Sequence, residues 1–268
     1  MTGHYNLYRK AWRYEDAPHE EQRLDERQLK AMLKQGGLFV RNTYNFDQTE
    51  ESHFWFIIKD KFGGFEELNS RDRNKVRHAF EMFDYHILPH EILKQKGYAI
   101  TEETFGDYPV NDRKMNEKIF ARFIEERSSE GFEHWGIFEK GTENLVGYGI
   151  VHCWDHCCEL GATGILTQFK RNASYPYYGL YHRWSQHYLQ ERQFNYISDG
   201  ARSISEHSNI QDFLIQHFNF RKAYCQLEIH YQWWMKIAVN LLYPFRNIIK
   251  SPRVKAVLNM EAMRRGEK

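Results

Sequence analysis

The chain has 268 residues, 41% hydrophobic and 27% charged, enough for one large or two modest globular domains and too apolar for wholesale disorder. Its 37 Lys and Arg against 36 Asp and Glu leave a net charge of +1. Bulk charge therefore excludes a nucleic-acid binder by composition and leaves room only for a local basic patch. Aromatic residues make up 16%, which serves cores and cleft linings alike.

Residues Met1 to Tyr14 are polar and aromatic, without the apolar stretch of a signal peptide, and no apolar run approaches the ~20 residues that span a bilayer. Of the four cysteines, Cys153, Cys157 and Cys158 crowd together and Cys225 stands apart, a poor disulfide framework. Reduced thiols and a cytoplasmic location are expected.

In chain order, a helix is predicted over Glu20–Lys34, ended by Gly36-Gly37. Strands follow over Leu38–Tyr44 and His53–Lys59. Ser70 caps a basic helix, Arg71–Ala79, and a strand covers Glu81–Ile87. Pro89 opens a helix that Gly97 closes, Phe105–Asn111 is a loop, and Asp112 starts a helix to about Ser128. His134–Glu139 and Leu145–Trp154 read as a hairpin, and a third strand covers Glu159–Phe169, with Gly161 and Gly164 marking a bulge. Pro176 starts a helix, Phe194–Ser198 is a strand, and Ser208 with Gln211 is a capping-box pattern. Ala223–Tyr231 alternates apolar and polar, as a half-buried antiparallel strand does. After it, Trp233, Trp234, Ile237, Ala238, Leu241 and Leu242 form an amphipathic helix followed by a basic tail.

These elements predict an α/β (α+β) fold with a mixed, mostly antiparallel sheet flanked by helices. The expected division is residues 1–111, 112–232 and a tail, 233–268. The β-β-β-α-β-α-β order from Trp135, with Asn195–Gly200, Asn209–Ile215 and Phe218–Tyr224, resembles the GNAT-like acyl-CoA N-acyltransferases. Asn219-Phe220 stands where that family has a Gly-Phe step. The first half, at Ser70–Ala79 and the strand after it, is similar to the Fem-type aminoacyl transferases, which carry two such folds in tandem.

The resemblance implies acyl-coenzyme A as co-substrate in a cleft between about Gln168 and Asn209. Backbone near Leu166-Thr167-Gln168 would pair with the pantetheine arm, and the loop Lys170–Pro176 with the next helix N-terminus would hold the pyrophosphate. Thr167, Gln168, Lys170, Arg171, Asn172, Tyr175, Tyr178 and Asn209 are the expected donor contacts. This loop departs from the family in having no glycine before Gly179, and Ile215 stands where a tyrosine acid is often found.

The densest polar stretch, Asp199 to Asn209, lies at a strand end, where α/β folds place ligands. Asp199, Glu206 and His207 are the candidate proton-handling groups, and Arg202 and Ser203 the candidate substrate contacts. The His152–Cys158 segment contains zinc-ligand types, but at a spacing that fits no finger or knuckle, so no metal is expected. Arg71, Arg73, Lys75 and Arg77 could meet tRNA phosphates or form a solvated helix face.

Three functions stay open on this sequence. The first is an N-acyltransferase joining an acyl group to a small-molecule or peptide amine. The second is a Fem-like transferase using aminoacyl-tRNA, and the third is a silent GNAT-like binding domain. The tail offers peripheral contact with a membrane, packing on the domain, or a homodimer contact.

Overall fold

The computed structural model describes residues 4–106, 115–204 and 210–267. Contacts gather the chain into two compact units, one from residues 1–58, 200–211 and 221–268, the other from residues 59–199 and 212–220.

In the first unit, β1 (Tyr5–Tyr8) and β2 (Ala11–Tyr14) form a hairpin whose two turn residues, Arg9 and Lys10, have φ of 50° and 69°. That left-handed pair is the turn that matches strand twist. β2 runs parallel to β3 (Phe39–Gln48), and β3 is antiparallel to β10 (Arg221–Tyr231), which pairs in turn with β4 (Phe54–Lys59). Helix α1 (Glu26–Lys34) begins six residues later than the sequence reading placed it. Asp25 forms a capping box with Gln28 and fixes the start there. The C-terminal helices α8 (Trp233–Leu242) and α9 (Pro252–Arg265) bury Met235, Val239 and Leu258 on Phe39, Phe54 and Leu227 of the sheet.

In the second unit the strand order is β9 (Tyr196–Ala201), β8 (Cys157–Ile165), β7 (Leu145–Cys153), β6 (Phe132–Glu139), β5 (Phe83–Ile87). Every pairing is antiparallel except β8 with β9. The fold is thus the expected mixed, mostly antiparallel sheet with flanking helices. Helix α2 (Ser70–Met82) is capped by Asn69 rather than Ser70, because the Asn69 side chain accepts the Asp72 N–H.

Helix α3 (His90–Gly106) runs through Gly97, where the sequence reading ended it. A Cβ at Gly97 would stand 2.7 Å from Leu93 and from Phe120 of α4 (Glu117–Glu125), so this glycine permits close helix packing. Helix α4 is capped by Asn116, a few residues beyond the predicted Asp112, which lies outside the described residues. The third predicted strand is also shorter than expected. It ends at Ile165, and Thr167–Arg171 form the short helix α5, which places Thr167 and Gln168 on helix. Helix α6 (Pro176–Ser185) does begin at Pro176, and α7 (Ile210–Phe218) follows β9. Asn219 has φ 55°, the left-handed turn expected at the Asn-Phe step. No helix of the described residues is long and apolar enough to cross a membrane.

Candidate active site

Parallel strands β8 and β9 pair only at their beginnings, Cys157 with Tyr196, Cys158 with Ile197 and Glu159 with Ser198. Beyond that point β8 continues to Ile165 with no further pairing to β9. The two strands part there, and α/β folds place ligands at the carboxyl ends of strands. Asp199 is the first residue of β9 past the last pair. It is half-buried, and withdrawal from water, together with the charge of Glu159, raises its carboxyl to about 8. A group poised there exchanges a proton readily near neutral pH.

The far end of β8 is already engaged. Leu166 N–H returns to Val146 O of β7, so the Ile165 N–H points from the opposite edge. Thr104 Oγ1 of α3 accepts it at 3.0 Å and donates its own proton to Ile100 O at 2.7 Å. One turn on, Thr167 N–H donates to Glu103 Oε2 at 2.9 Å, so a carboxylate of the chain itself sits at the start of α5. Gln168, Lys170, Arg171 and Asn172 are exposed, and Ala173 and Tyr175 take φ of 57° and 55° without being glycine. Gly179 lies inside α6, where a Cβ would come within 2.2 Å of the Tyr85 hydroxyl, so its smallness serves packing.

Tyr178 is buried, and its hydroxyl receives a hydrogen bond from Lys75 at 2.7 Å. Lys75 also meets Asp72 at 3.3 Å, and His217 Nδ1 stands 2.8 Å from the other Asp72 oxygen. Burial works to raise the Asp72 carboxyl, but hydrogen bonds with His217, Asn69 and Lys75 overcome it and hold the group below its usual value. This network joins α2, α6 and α7, and nothing in the sequence marked Asp72 or His217 as a pair. It also absorbs part of the basic row. Arg73 donates to Leu68 O, Arg77 lies over Phe65, and Lys75 is committed to Asp72 and Tyr178.

Arg202, in the first unit, belongs to a cleft of about 580 Å³ lined by Glu51, Ser52, His53, Trp55, Arg202, Lys222 and Tyr224. Its N–H donates to Trp55 O at 2.7 Å and its guanidinium to His53 O at 2.6 Å. The guanidinium carbon and Lys222 Nζ lie 4.2 and 4.1 Å from the centre of the Trp55 ring. Two cations are thus held on one indole, with the Glu51 carboxylate in the same cleft. Ser203 is half-buried. Glu206, His207 and Asn209 lie outside the described residues. In the zinc-type segment, His152 stacks on Phe132 with ring centres 4.3 Å apart, and Cys153, Cys157 and Cys158 are buried thiols.

No family model matches the chain, and no curated protein matches it in sequence. Solved structures do. FemX is 8% identical with a TM-score of 0.52, over 84% of this chain and 79% of that one. The C-terminal domain (DUF2156) of a putative lysylphosphatidylglycerol synthetase from Agrobacterium fabrum is 9% identical with a TM-score of 0.54, over 89% and 82%. At such identities the likeness is one of fold. The chain has the α/β, GNAT-like acyltransferase fold, and the likeness extends well beyond the Trp135–Tyr231 stretch that carried it in the sequence.

Proposed function

We propose that the chain is a GNAT-fold transferase that moves an aminoacyl group from aminoacyl-tRNA to an amine acceptor. The observation that carries this reading is the parting of β8 and β9 with Asp199 at its start. The acceptor amine attacks the ester carbonyl, the amide bond forms, and the ester C–O bond breaks. The proton lost by the amine goes to the Asp199 carboxylate, and the released ribose hydroxyl takes one up from solvent. A carboxyl titrating near 8 suits that exchange.

The choice of donor rests on Thr104 and Glu103. In an acyl-coenzyme A enzyme, the end of β8 and the start of the next helix would be left for pantetheine and pyrophosphate. Here the chain's own hydroxyl and carboxylate bond those amides, and a carboxylate repels phosphate. The whole-chain likeness to FemX agrees with the aminoacyl reading. The Arg202–Lys222 cleft sets two cations against the single Glu51 carboxylate, an excess of positive charge for RNA phosphate.

Acyl-coenzyme A transfer to an amine is the second reading, favoured by the strand order. The two are separated by offering the full chain a mixed pool of aminoacyl-tRNA or a panel of acyl-coenzyme A thioesters, each with a mixture of amines. Amine-dependent loss of the tRNA ester, with the thioesters untouched, is expected. Thioester consumption with the tRNA ester untouched would overturn the aminoacyl reading in favour of the second.

A further inference from the structure

Among the described residues, seven of the twelve exposed large apolar side chains fall between Trp233 and Ile248. Helix α8 is apolar on two faces. Met235, Val239 and Tyr243 recur at helical spacing on the core side. Trp233, Ile237 and Leu241 recur at the same spacing on another side, 74%, 53% and 68% exposed. Leu242 at the helix end, then Phe245 and Ile248 beyond it, are exposed as well. An apolar surface of this kind marks a contact rather than chance exposure.

Its charge says what the contact is. Between Trp233 and Met260 the chain has five cations and no acid; the next carboxylate is Glu261. Lys236, Lys250 and Arg253 are exposed. Paired tryptophans, aliphatic side chains and lysines on one surface fit the boundary between acyl chains and anionic headgroups. Arg246 is paired with Glu267, but Lys236, Lys250 and Arg253 stay exposed, and a two-fold contact would set these cations against their own copies, so a second copy fits poorly. We propose that the face formed by α8 and the segment to Arg253 docks on the surface of an anionic lipid membrane, lying on it and not spanning it. This contact does not depend on the transferase chemistry.

The test is sedimentation of the full chain with vesicles of phosphatidylcholine alone and of phosphatidylcholine with phosphatidylglycerol. Binding to the anionic vesicles is expected to be at least tenfold tighter and to weaken with salt. Trp233→Ser with Ile237→Ser should lower it at least tenfold while circular dichroism and monomer mass stay unchanged. Lys236→Gln with Lys250→Gln should reduce the preference for anionic lipid and leave the fold intact, which keeps the test informative if the apolar variant unfolds. Absence of binding to either vesicle, equal binding to both, or a dimer dissolved by the apolar variant would each overturn the proposal.

Discussion

Thr104 Oγ1 accepts the backbone N–H of Ile165 at 3.0 Å, across 61 residues of chain. Both residues are buried. The bond closes a strand edge that would otherwise hold a free amide. Thr104→Val keeps the shape and removes the acceptor. The variant is expected to lose about 1–3 kcal/mol of stability in urea denaturation, and loss within experimental error would show that the edge is satisfied by other means.

Asp72 is a buried carboxylate serving His217, Lys75 and Asn69. Asp72→Asn should cost about 3 kcal/mol, because it strands the Lys75 ammonium beside Tyr178. A double-mutant cycle with His217→Gln should show coupling of about 0.5–3 kcal/mol, as contacting network members do. The folded carboxyl titrates below its unfolded value. Its contribution is therefore full above the unfolded value and fades as pH falls through the folded one. Additivity in the cycle would break the network account.

His182 is 4% exposed and boxed by Phe62, Phe65 and Phe80, with ring centres 4.7 to 5.5 Å away, and neither of its nitrogens has a partner among the described residues. Burial, with Lys59 and Arg183 nearby, lowers it to about 4. The unfolded chain then binds a proton between about pH 6.5 and 4 that the folded chain refuses, so stability is lost as pH falls through that window. His182→Phe should flatten this slope in melting curves from pH 7 to 4.5. An unchanged slope would assign the acid sensitivity elsewhere.

Asp199 has the opposite sign. Its folded value, about 8, lies above the unfolded one, so the folded chain keeps a proton that the unfolded chain releases. Stability is lost as pH rises from about 4 to 8. Asp199→Asn should raise the melting temperature by an amount that grows with pH over that range and then levels. A constant difference would mean that Asp199 titrates normally.

The sequence made some features plain and hid others. β10 was legible because Ala223, Cys225, Leu227 and Ile229 alternate with wet positions. Asp199 and Arg202 were singled out because strand ends collect ligand groups in α/β folds, but β9 runs on to Ala201 and holds Asp199 within the strand. The β1–β2 hairpin was not, since its left-handed turn uses Arg9-Lys10 in place of asparagine or glycine. Asp72 read as one charge on a solvated basic helix, because its partners His217 and Tyr178 lie more than a hundred residues away. Trp55, 147 residues before Arg202, was missed for the same reason, and strand pairing brings Lys222 to it.

Asp199 is the proposed acceptor of the amine proton during aminoacyl transfer. That role is tested most directly by the pH–rate profile of amine-dependent aminoacyl-tRNA ester loss, from pH 6 to 9, for the wild type and Asp199→Asn. A wild-type rate rising to a plateau with an apparent midpoint near 8 is expected. The variant should be slower by about 10²–10⁴-fold, with that limb absent. A variant with the wild-type rate and the same limb would contradict that role.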